Sequence, residues 1–281
     1  MEKALVPTFR LNNGVEMPAL GLGVLRMDDG PEVEEAVGWA LEAGYRLIDT
    51  ARVYNNEKGV GRAIRGSGIP REEIFLTTKV WNEDQGYEKT QAAFDASCER
   101  LGLDYVDLYL IHWPGGVSSL NRETWRSMES IYTKGRAKAI GVSNFHAVHL
   151  SALMEATEIV PMVNQIELHP HLQQRELRAF CKTHGIQVEA WRPLMKGKVG
   201  EIPLLTTLAA ELEKTPAQIA LRWMIQHDVV TIPKSQNKGR IIENLNVFDF
   251  ELTDMQMAAI DALDCGERLG PDPDTFRMDF S

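Results

Sequence analysis

The chain has 281 residues, 44% of them hydrophobic, and a formal net charge of −10 at pH 7. This apolar content supports a packed core and excludes a disordered chain. The acidic balance argues against nucleic acid and anionic membranes as general partners, because their phosphates would be repelled. An anionic ligand would therefore need a local cluster of basic side chains.

The cysteines and the apolar runs indicate a cytoplasmic location. No apolar run approaches the roughly 20 residues that span a membrane, and the segment 1–7 lacks the long apolar region of a secretion signal. Cys98, Cys181 and Cys265 are odd in number and widely spaced. We therefore expect small core thiols in a reducing compartment.

The first predicted elements are a hairpin, a strand and a helix. Segment 8–18 predicts a β-hairpin, because Asn13-Gly14 is a strong two-residue turn signal in which both positions favour positive φ. A short strand at 20–24 follows. An amphipathic helix at 32–43 ends at Gly44.

From there, apolar strands alternate with helix-length connections to the end of the chain. Two of the helices lie between the last two strands, and Thr215-Pro216 supplies the N-cap and the first helical position of the second. The strands are predicted at 45–49, 74–79, 106–112, 137–142, 162–167, 187–191 and 229–233. The other helices are predicted at 88–101, 122–134, 147–157, 174–184, 239–246 and 254–263.

This alternation predicts an α/β fold, a single (β/α)8 TIM barrel over 1–281 with an N-terminal hairpin and extra C-terminal helices. Strands that alternate with helices form a parallel sheet, and eight units close it. The C-terminal ends of the strands then meet at one face, where the chemistry of such barrels lies. The predicted strand ends are Val24, Asp49, Lys79, His112, Ser143, Gln165, Trp191 and Lys234.

Four of the side chains at this face form an acid–base set. Tyr54 follows Asp49 on the loop after its strand, and a free phenol has a pKa of about 10. The ammonium of Lys79 would lower that pKa, and Asp49 would keep the ammonium charged. Tyr54 could then donate a proton to a carbonyl oxygen oriented by His112, a step worth roughly 10²–10⁴ in rate. Carbonyl reduction of this kind also needs a hydride donor.

Polar side chains at the later strand ends suit a nicotinamide cofactor. Groups that could hold its carboxamide belong to Ser143, Asn144 and Gln165, and Trp191 could stack on its ring. Lys234, Ser235 and Arg240 lie where a strand runs into a helix start, a favourable phosphate site. Because no G-x-G-x-x-G follows a strand, the cofactor would be bound without a Rossmann unit.

With these motifs, the sequence resembles the aldo-keto reductase family from the hairpin to about residue 263. The segment 49–61 resembles the signature around the family's catalytic Asp and Tyr, and 78–81 and 106–114 resemble its lysine and histidine strands. Segments 141–145, 164–170 and 232–235 complete the pattern. The short loop after Pro114 and the segment 246–252 are most similar to small bacterial members, such as diketogluconate and methylglyoxal reductases.

The resemblance implies NADPH-dependent (NADP+-linked) reduction of aldehydes and ketones, with Tyr54 as the acid. It implies that Lys79, Asp49 and His112 support Tyr54. It also implies a cofactor site in which Lys234, Ser235 and Arg240 hold the 2′-phosphate, Glu243 and Asn244 lie near the adenine, and Arg192, Pro193, Leu194 and Asn237 make further contacts.

The implied substrate pocket is lined by Leu25, Trp81, His112 and Trp113. Leu25 stands where many members have an aromatic residue, Arg192 replaces a common small residue, and Met195 replaces a common Gly. These departures leave the four catalytic positions intact and make the substrate an open question. Arg192 could recruit an acidic substrate or a cofactor phosphate.

Other interpretations of the same residues remain open. Lys79 and Asp49 could form a purely structural ion pair, Trp81 and Trp113 could be rim packing, and Lys79 or Lys234 could form a Schiff base in an aldolase. The fold could also bind a nucleotide without useful turnover. Glu167, His169 and His171 superficially resemble metal ligands, but too few further ligands stand at other strand ends, so no metal is expected.

The expected partner is a small carbonyl substrate. We expect a monomer that binds neither nucleic acid nor membrane, although nothing in the pattern specifies the oligomeric state. The histidines outside the strands, His146, His149, His184 and His227, are expected to be solvated.

Overall fold

The computed structural model describes residues 6–115 and 118–276, and it begins with the predicted hairpin. Strands β1 (Thr8–Arg10) and β2 (Glu16–Pro18) pair antiparallel. The prediction of a two-residue turn in which both residues have positive φ was wrong. Gly14 has a φ of +88°, whereas Asn13 does not have a positive φ. The Asn13 side chain instead donates to the Lys138 carbonyl (2.9 Å) and accepts from Val15 N–H (3.1 Å), which docks the hairpin against the barrel.

Eight parallel strands form the barrel in chain order. The last strand returns to the first, because Leu20 pairs with Thr231 and Gly23 N–H donates to the Pro233 carbonyl (3.2 Å). The strands are β3 (Gly21–Gly23), β4 (Leu47–Asp49), β5 (Phe75–Val80), β6 (Val106–Ile111), β7 (Ala137–Ser143), β8 (Val163–Glu167), β9 (Gln187–Trp191) and β10 (Val230–Thr231). The TIM-barrel prediction is confirmed, with strand limits shifted by up to two residues where ladder pairing stops.

Helices surround this barrel, and the capping prediction at Thr215 is confirmed: its hydroxyl accepts from Gln218 N–H. None of the helices within residues 6–115 and 118–276 combines the length and apolar character needed to cross a bilayer. The helices are α1 (Pro31–Ala43), α2 (Glu57–Gly66), α3 (Tyr87–Leu101), α4 (Ser118–Thr133), α5 (Ala147–Met154), α6 (Arg175–Thr183), α7 (Pro203–Glu211), α8 (Pro216–Gln226), α9 (Lys238–Leu245) and α10 (Asp254–Asp261).

Helix α2 was not individually predicted, because its three glycines each weaken helix propensity by roughly 1 kcal/mol. Tertiary packing forms it. Val60 and Ile64, four residues apart, are buried on one face. Gly61 lets α2 approach the end of α3: a Cβ at this position would lie 2.0 Å from the Leu101 carbonyl oxygen.

Candidate active site

The four predicted catalytic side chains meet at the C-terminal mouth of the barrel. Lys79 Nζ lies 2.6 Å from Asp49 Oδ1, 2.8 Å from the Thr50 carbonyl oxygen and 3.5 Å from the Tyr54 hydroxyl. The ring of His112 packs edge-on against Tyr54, with centroids 5.6 Å apart. Strands β4, β5 and β6 are neighbours in the sheet, so their ends bring these groups together.

The protonation states follow from burial and from the charges around Lys79. Burial is the largest single effect and lowers the pKa of Lys79, but the groups around the ammonium, first of all Asp49, together outweigh it, so the net shift is upward and the ammonium persists. Burial raises the pKa of Tyr54 by more than Lys79 lowers it. Lys79 thus lowers this pKa as expected, but burial outweighs it, so the net pKa of Tyr54 lies above its usual value. Tyr54 is a phenol, with its proton in place, at neutral pH.

His112 is neutral. Burial, followed by the neighbouring Lys79 charge, holds its pKa well below the usual value. Its Nδ1 is buried and has no hydrogen-bond partner within the described chain. The ring also packs edge-on against Trp81, with centroids 4.9 Å apart, which fixes its plane. A neutral imidazole held in this way can hydrogen-bond a carbonyl oxygen without adding a charge.

Asn56 holds the loop that carries Tyr54. Its amide nitrogen donates to the carbonyls of Val24 and Met27, both at 2.9 Å, and its oxygen accepts from the Thr50 hydroxyl at 2.8 Å. Asn56 is fully buried, so these bonds satisfy groups that would otherwise be costly. This part of the signature therefore positions the phenol.

Glu57, the next residue, fixes the same loop through its buried carboxylate. Its carboxylate accepts from the Thr78 hydroxyl and from Arg100 Nε, both at 2.6 Å. Thr78 precedes Lys79 on β5, so one carboxylate ties the Tyr54 loop to the lysine strand. Charge-assisted bonds of this kind are among the stronger ones in proteins.

A buried carboxyl that the sequence analysis missed, Glu189, is linked to the site through Gln165. The Gln165 amide nitrogen lies 2.8 Å from Asp49 Oδ2 and 2.8 Å from Glu189 Oε2. Burial, with a contribution from Asp49, raises the pKa of Glu189 to about 8, so its carboxyl is neutral at pH 7. The period of two along β9, from Trp191 back to Glu189, was a signal that could have found it.

Most of the predicted carboxamide-binding groups hydrogen-bond to one another. Ser143 Oγ donates to the Gln165 carbonyl at 2.8 Å, and the Asn144 amide nitrogen donates to the His112 carbonyl at 3.0 Å. Trp191 Nε1 donates to Asn144 Oδ1 at 2.8 Å. The structure thus brings this set together, and Asn144 orients the indole of Trp191.

Arg192 carries an unused donor next to that indole. It has a φ of +57°, and its guanidinium carbon lies 5.0 Å from the Trp191 ring centroid. Its Nη1 is buried and has no partner in the described chain. Pro193 is buried and Leu194 half-buried beside it. An unpaired guanidinium nitrogen fits an anionic oxygen such as a cofactor phosphate.

The predicted phosphate-binding groups lie at the start of α9, apart from the catalytic four in the sequence. Asn237 is its N-cap, accepting from Arg240 N–H at 3.0 Å, while Lys234 and Arg240 are exposed. Burial lowers the pKa of Lys234, Glu32 opposes this, and Arg26 lowers it further. The sequence analysis missed Arg26, whose charge adds to the cluster.

Both predicted adenine neighbours, Glu243 and Asn244, are engaged in contacts within the chain. The Glu243 carboxylate accepts from the Thr215 hydroxyl at 3.0 Å, and Asn244 is buried on α9. Ser235 is buried as well, and its hydroxyl accepts from Asn237 N–H at 3.2 Å. The exposed cations, the helix N-terminus and the free Arg192 nitrogen together fit a dinucleotide phosphate group.

The predicted substrate residues form one aromatic wall with an addition from the C-terminal tail. Trp81 and Trp113, which follow β5 and β6, are only 8% and 7% exposed. Leu25, in the loop after β3, is 40% exposed. Phe276 packs on Trp113, with centroids 4.3 Å apart. Nothing in the tail's sequence pattern pointed to Phe276.

Segment 264–276 packs at the mouth of the barrel and is fixed there by contacts with Glu167, His146 and His149. The Glu167 carboxylate accepts from the N–H groups of Leu269 and Gly270, at 2.8 and 2.9 Å. Asp274 lies 2.9 Å from His146 Nδ1 and 3.5 Å from His149 Nε2. The expectation that these two histidines are solvated was wrong, because both are half-buried beside the tail.

Other predictions outside the site are corrected in the same way. His227 is half-buried and hydrogen-bonded to Asp261 at 2.8 Å, so it is not a solvated histidine. Cys98 and Cys181 are buried as predicted, but Cys265 is exposed in the tail. His169 is fully buried and lies 3.3 Å from Glu167.

Comparisons with known proteins agree with this geometry. The model of the aldo/keto reductase family matches residues 19–264. A glyoxal reductase of Bacillus subtilis (strain 168) is 56% identical over 274 residues, covering 98% of this chain and 99% of that protein. An aldo/keto reductase structure from Brucella melitensis superposes with a TM-score of 0.90 at 52% identity, over 92% of this chain and 100% of that one. A Bombyx mori aldo-keto reductase in complex with NADP has a TM-score of 0.89 at 38% identity, over 95% and 96% of the two chains.

Proposed function

The chain belongs to the aldo/keto reductase family, and we propose that it reduces small aldehydes and dicarbonyl compounds such as glyoxal. It is an oxidoreductase that uses NADPH to convert carbonyl compounds to alcohols. The observation that carries the proposed residue roles is the position of Lys79 Nζ, within 2.6 Å of Asp49 and 3.5 Å of the Tyr54 hydroxyl.

In the proposed mechanism, Tyr54 donates its phenolic proton to the carbonyl oxygen. The Lys79 ammonium stabilises the phenolate that remains, and Asp49 keeps that ammonium charged. His112, a neutral imidazole, orients the same oxygen by a hydrogen bond. NADPH supplies a hydride to the carbonyl carbon when bound. Hydride and proton together convert the carbonyl to an alcohol.

The proposed cofactor site consists of the groups whose geometry suits a nicotinamide and its phosphates. Trp191 offers a ring face and Gln165 an amide beside Asp49. Arg192 offers a buried, unpaired nitrogen. Ser143, Asn144, Pro193 and Leu194 shape this part of the site, and Lys234, Ser235, Asn237, Arg240, Glu243 and Asn244 form the end proposed to hold the 2′-phosphate and adenine.

The proposed preference for small carbonyl compounds rests on the aromatic side chains beside His112. Trp81 packs on His112 and Phe276 packs on Trp113, and we propose that these rings line the substrate pocket with the exposed Leu25 at its rim. Aromatic walls around a few polar groups are typical of small-molecule pockets. The similarity to a glyoxal reductase supports dicarbonyls within this class.

The aldolase alternative is disfavoured by the state of the two lysines. Lys79 is protonated and ion-paired, and a charged ammonium cannot attack a carbonyl. Lys234 is exposed beside Arg26, on the side of the mouth that suits a phosphate. Treatment with borohydride in the presence of a dicarbonyl should leave no covalent adduct on either lysine.

Tyr54→Phe tests the proposed role of the phenol. The variant should bind NADPH with unchanged affinity, measured by fluorescence titration, but lose turnover of glyoxal by roughly 10²-fold or more. Tyr105→Phe is the matched control, because this phenol lies outside the mouth, beside Arg71 and Lys138. Full turnover by the Tyr54 variant would contradict the proposed proton donor.

We also propose that the chain is one domain and acts as a monomer in the cytoplasm, without a nucleic-acid partner. The net charge of −10 and three unpaired cysteines support this. Light scattering on the purified chain should give a mass of 31.6 kDa. Twice that mass would contradict the monomer.

A further inference from the structure

A cavity of about 710 Å³ lies at the end of the barrel opposite the catalytic groups. Hairpin strand β1, helix α6 and the residues that begin β9 and precede β10 surround it. The cavity lies at the N-terminal ends of β9 and β10, whereas the predicted catalytic groups lie at the C-terminal ends of β4, β5 and β6, so they do not take part. Its volume falls within the range of roughly 300–1,000 Å³ typical of small-molecule sites.

Basic side chains dominate this cavity although the chain as a whole is acidic. The two lining carboxylates have other partners: Asp261 lies 2.8 Å from both Trp223 Nε1 and His227 Nε2. Asp228 lies 3.8 Å from Lys182, and both side chains are largely exposed, so that pair is weak. The basic lining residues are Arg10, Arg175, Arg178 and Lys182.

Arg178 is the lining residue that most strongly suggests a bound anion. Its guanidinium is half-buried, yet it makes no hydrogen bond or ion pair within residues 6–115 and 118–276. Burial lowers its pKa, the charge of Asp261 opposes this in part, and the neighbouring Arg175 charge lowers it further. A half-buried cation without a partner costs stability, and a bound anion would offset that cost.

Arg175 is held in place beside it by neutral acceptors. Its Nε and Nη2 lie 3.2 and 3.0 Å from Gln173 Oε1, and Nη2 also donates to the Asp261 carbonyl. The nearest carboxylate, Asp264, is 3.7 Å away. A second guanidinium is thus positioned without being fully neutralised.

We propose that this cavity binds a small organic oxyanion, with Arg178 as its main contact and Arg10, Arg175 and Lys182 around it. Guanidinium groups match the paired oxygens of phosphates and carboxylates, so the ligand is a phosphate ester or a polycarboxylate. The site is separate from carbonyl reduction and does not depend on the function proposed above. Basal turnover of glyoxal should not require it.

Thermal unfolding of the full chain with added pyrophosphate or citrate tests the proposal. At constant ionic strength, one of the two probes should raise the melting temperature saturably, whereas sodium chloride should not. The stronger probe identifies the ligand as phosphate-bearing or carboxylate-bearing. If the probe raises the melting temperature of Arg240→Ala as much as that of the parent, it is not acting at the proposed cofactor phosphate site.

Arg178→Met should weaken binding of the stabilising probe by about tenfold or more. Without the probe it should be at least as stable as the parent, because the substitution removes an unpaired, half-buried charge. Arg126→Met is the matched control: Arg126 is exposed on α4, outside the cavity, and its loss removes the same charge. Turnover of glyoxal should be unchanged in both variants.

Three results would overturn the site. Neither probe gives saturable stabilisation, or Arg126→Met weakens it as much as Arg178→Met, or Arg178→Met is markedly less stable without a probe. The last result would mean that Arg178 is a structural residue. Lys182→Gln is an independent check, because the proposal also requires this substitution to weaken binding of the probe without destabilising the chain.

Discussion

The ammonium of Lys79 lies 2.6 Å from the carboxylate of Asp49, and their side chains are only 0% and 3% exposed. Two charges removed from water in this way stabilise one another only while both are present. Replacing one partner leaves an uncompensated buried charge.

We therefore expect Asp49→Asn and Lys79→Met each to lower the free energy of unfolding by roughly 3–5 kcal/mol. The double variant should lose less than the sum, because its site contains neither charge. Urea unfolding without nucleotide measures all three. Glu34→Gln is the control, since its pair with Arg62 is exposed to solvent and therefore weak. Additive losses would show that the pair is not coupled.

Glu189 should make stability depend on pH. Its pKa is raised from 4.5 to about 8 in the folded chain, so between these values the folded chain binds a proton that the unfolded chain has lost. The contribution of Glu189 to the free energy of unfolding is fully present below pH 4.5 and is lost as the pH rises to about 8. Across this window the loss is about 1.4 kcal/mol per pH unit.

Glu189→Gln removes that titration while keeping an oxygen that can accept from Gln165. The stability advantage of the variant over the parent should therefore grow with pH across this window, measured by urea unfolding at several pH values. Parallel pH curves for the two proteins would show that Glu189 does not hold a proton in the folded chain.

Gly61→Ala should destabilise the chain by about 1–3 kcal/mol or more, because the new Cβ would lie 2.0 Å from the Leu101 carbonyl oxygen. Gly38→Ala is the matched control within α1, where nothing lies within 4 Å of the added carbon. This control should gain about 0.5–1 kcal/mol from helix propensity. Equal effects in thermal unfolding would mean that the α2–α3 approach is not tight.

Arg240→Ala should weaken NADPH binding by roughly tenfold or more and leave NADH binding nearly unchanged. The reason is that only NADPH carries the 2′-phosphate that the exposed guanidinium at the start of α9 is proposed to bind. Fluorescence titration with both cofactors measures the difference, with Arg126→Ala as a charge-matched control. An equal loss for both cofactors would show that Arg240 does not distinguish them.

The sequence was sufficient to predict the barrel and the four groups at its mouth. Strand β9 was predicted at its observed limits, and Thr215 was placed correctly as an N-cap. Both depend on residues close in the chain. Helix α2 was not predicted because its glycines hide the helical pattern, and only its packing against α3 explains them.

What local pattern can specify is which residue types stand at the strand ends, because apolar periodicity and turn chemistry are properties of neighbouring residues. It cannot specify the proton on Tyr54, the neutral carboxyl of Glu189 or the position of Phe276. Those depend on burial and on contacts between distant segments, such as the bond from Gln165 to Asp49 across 116 residues. Burial is a property of the whole packed chain, so it exists only once the barrel has closed.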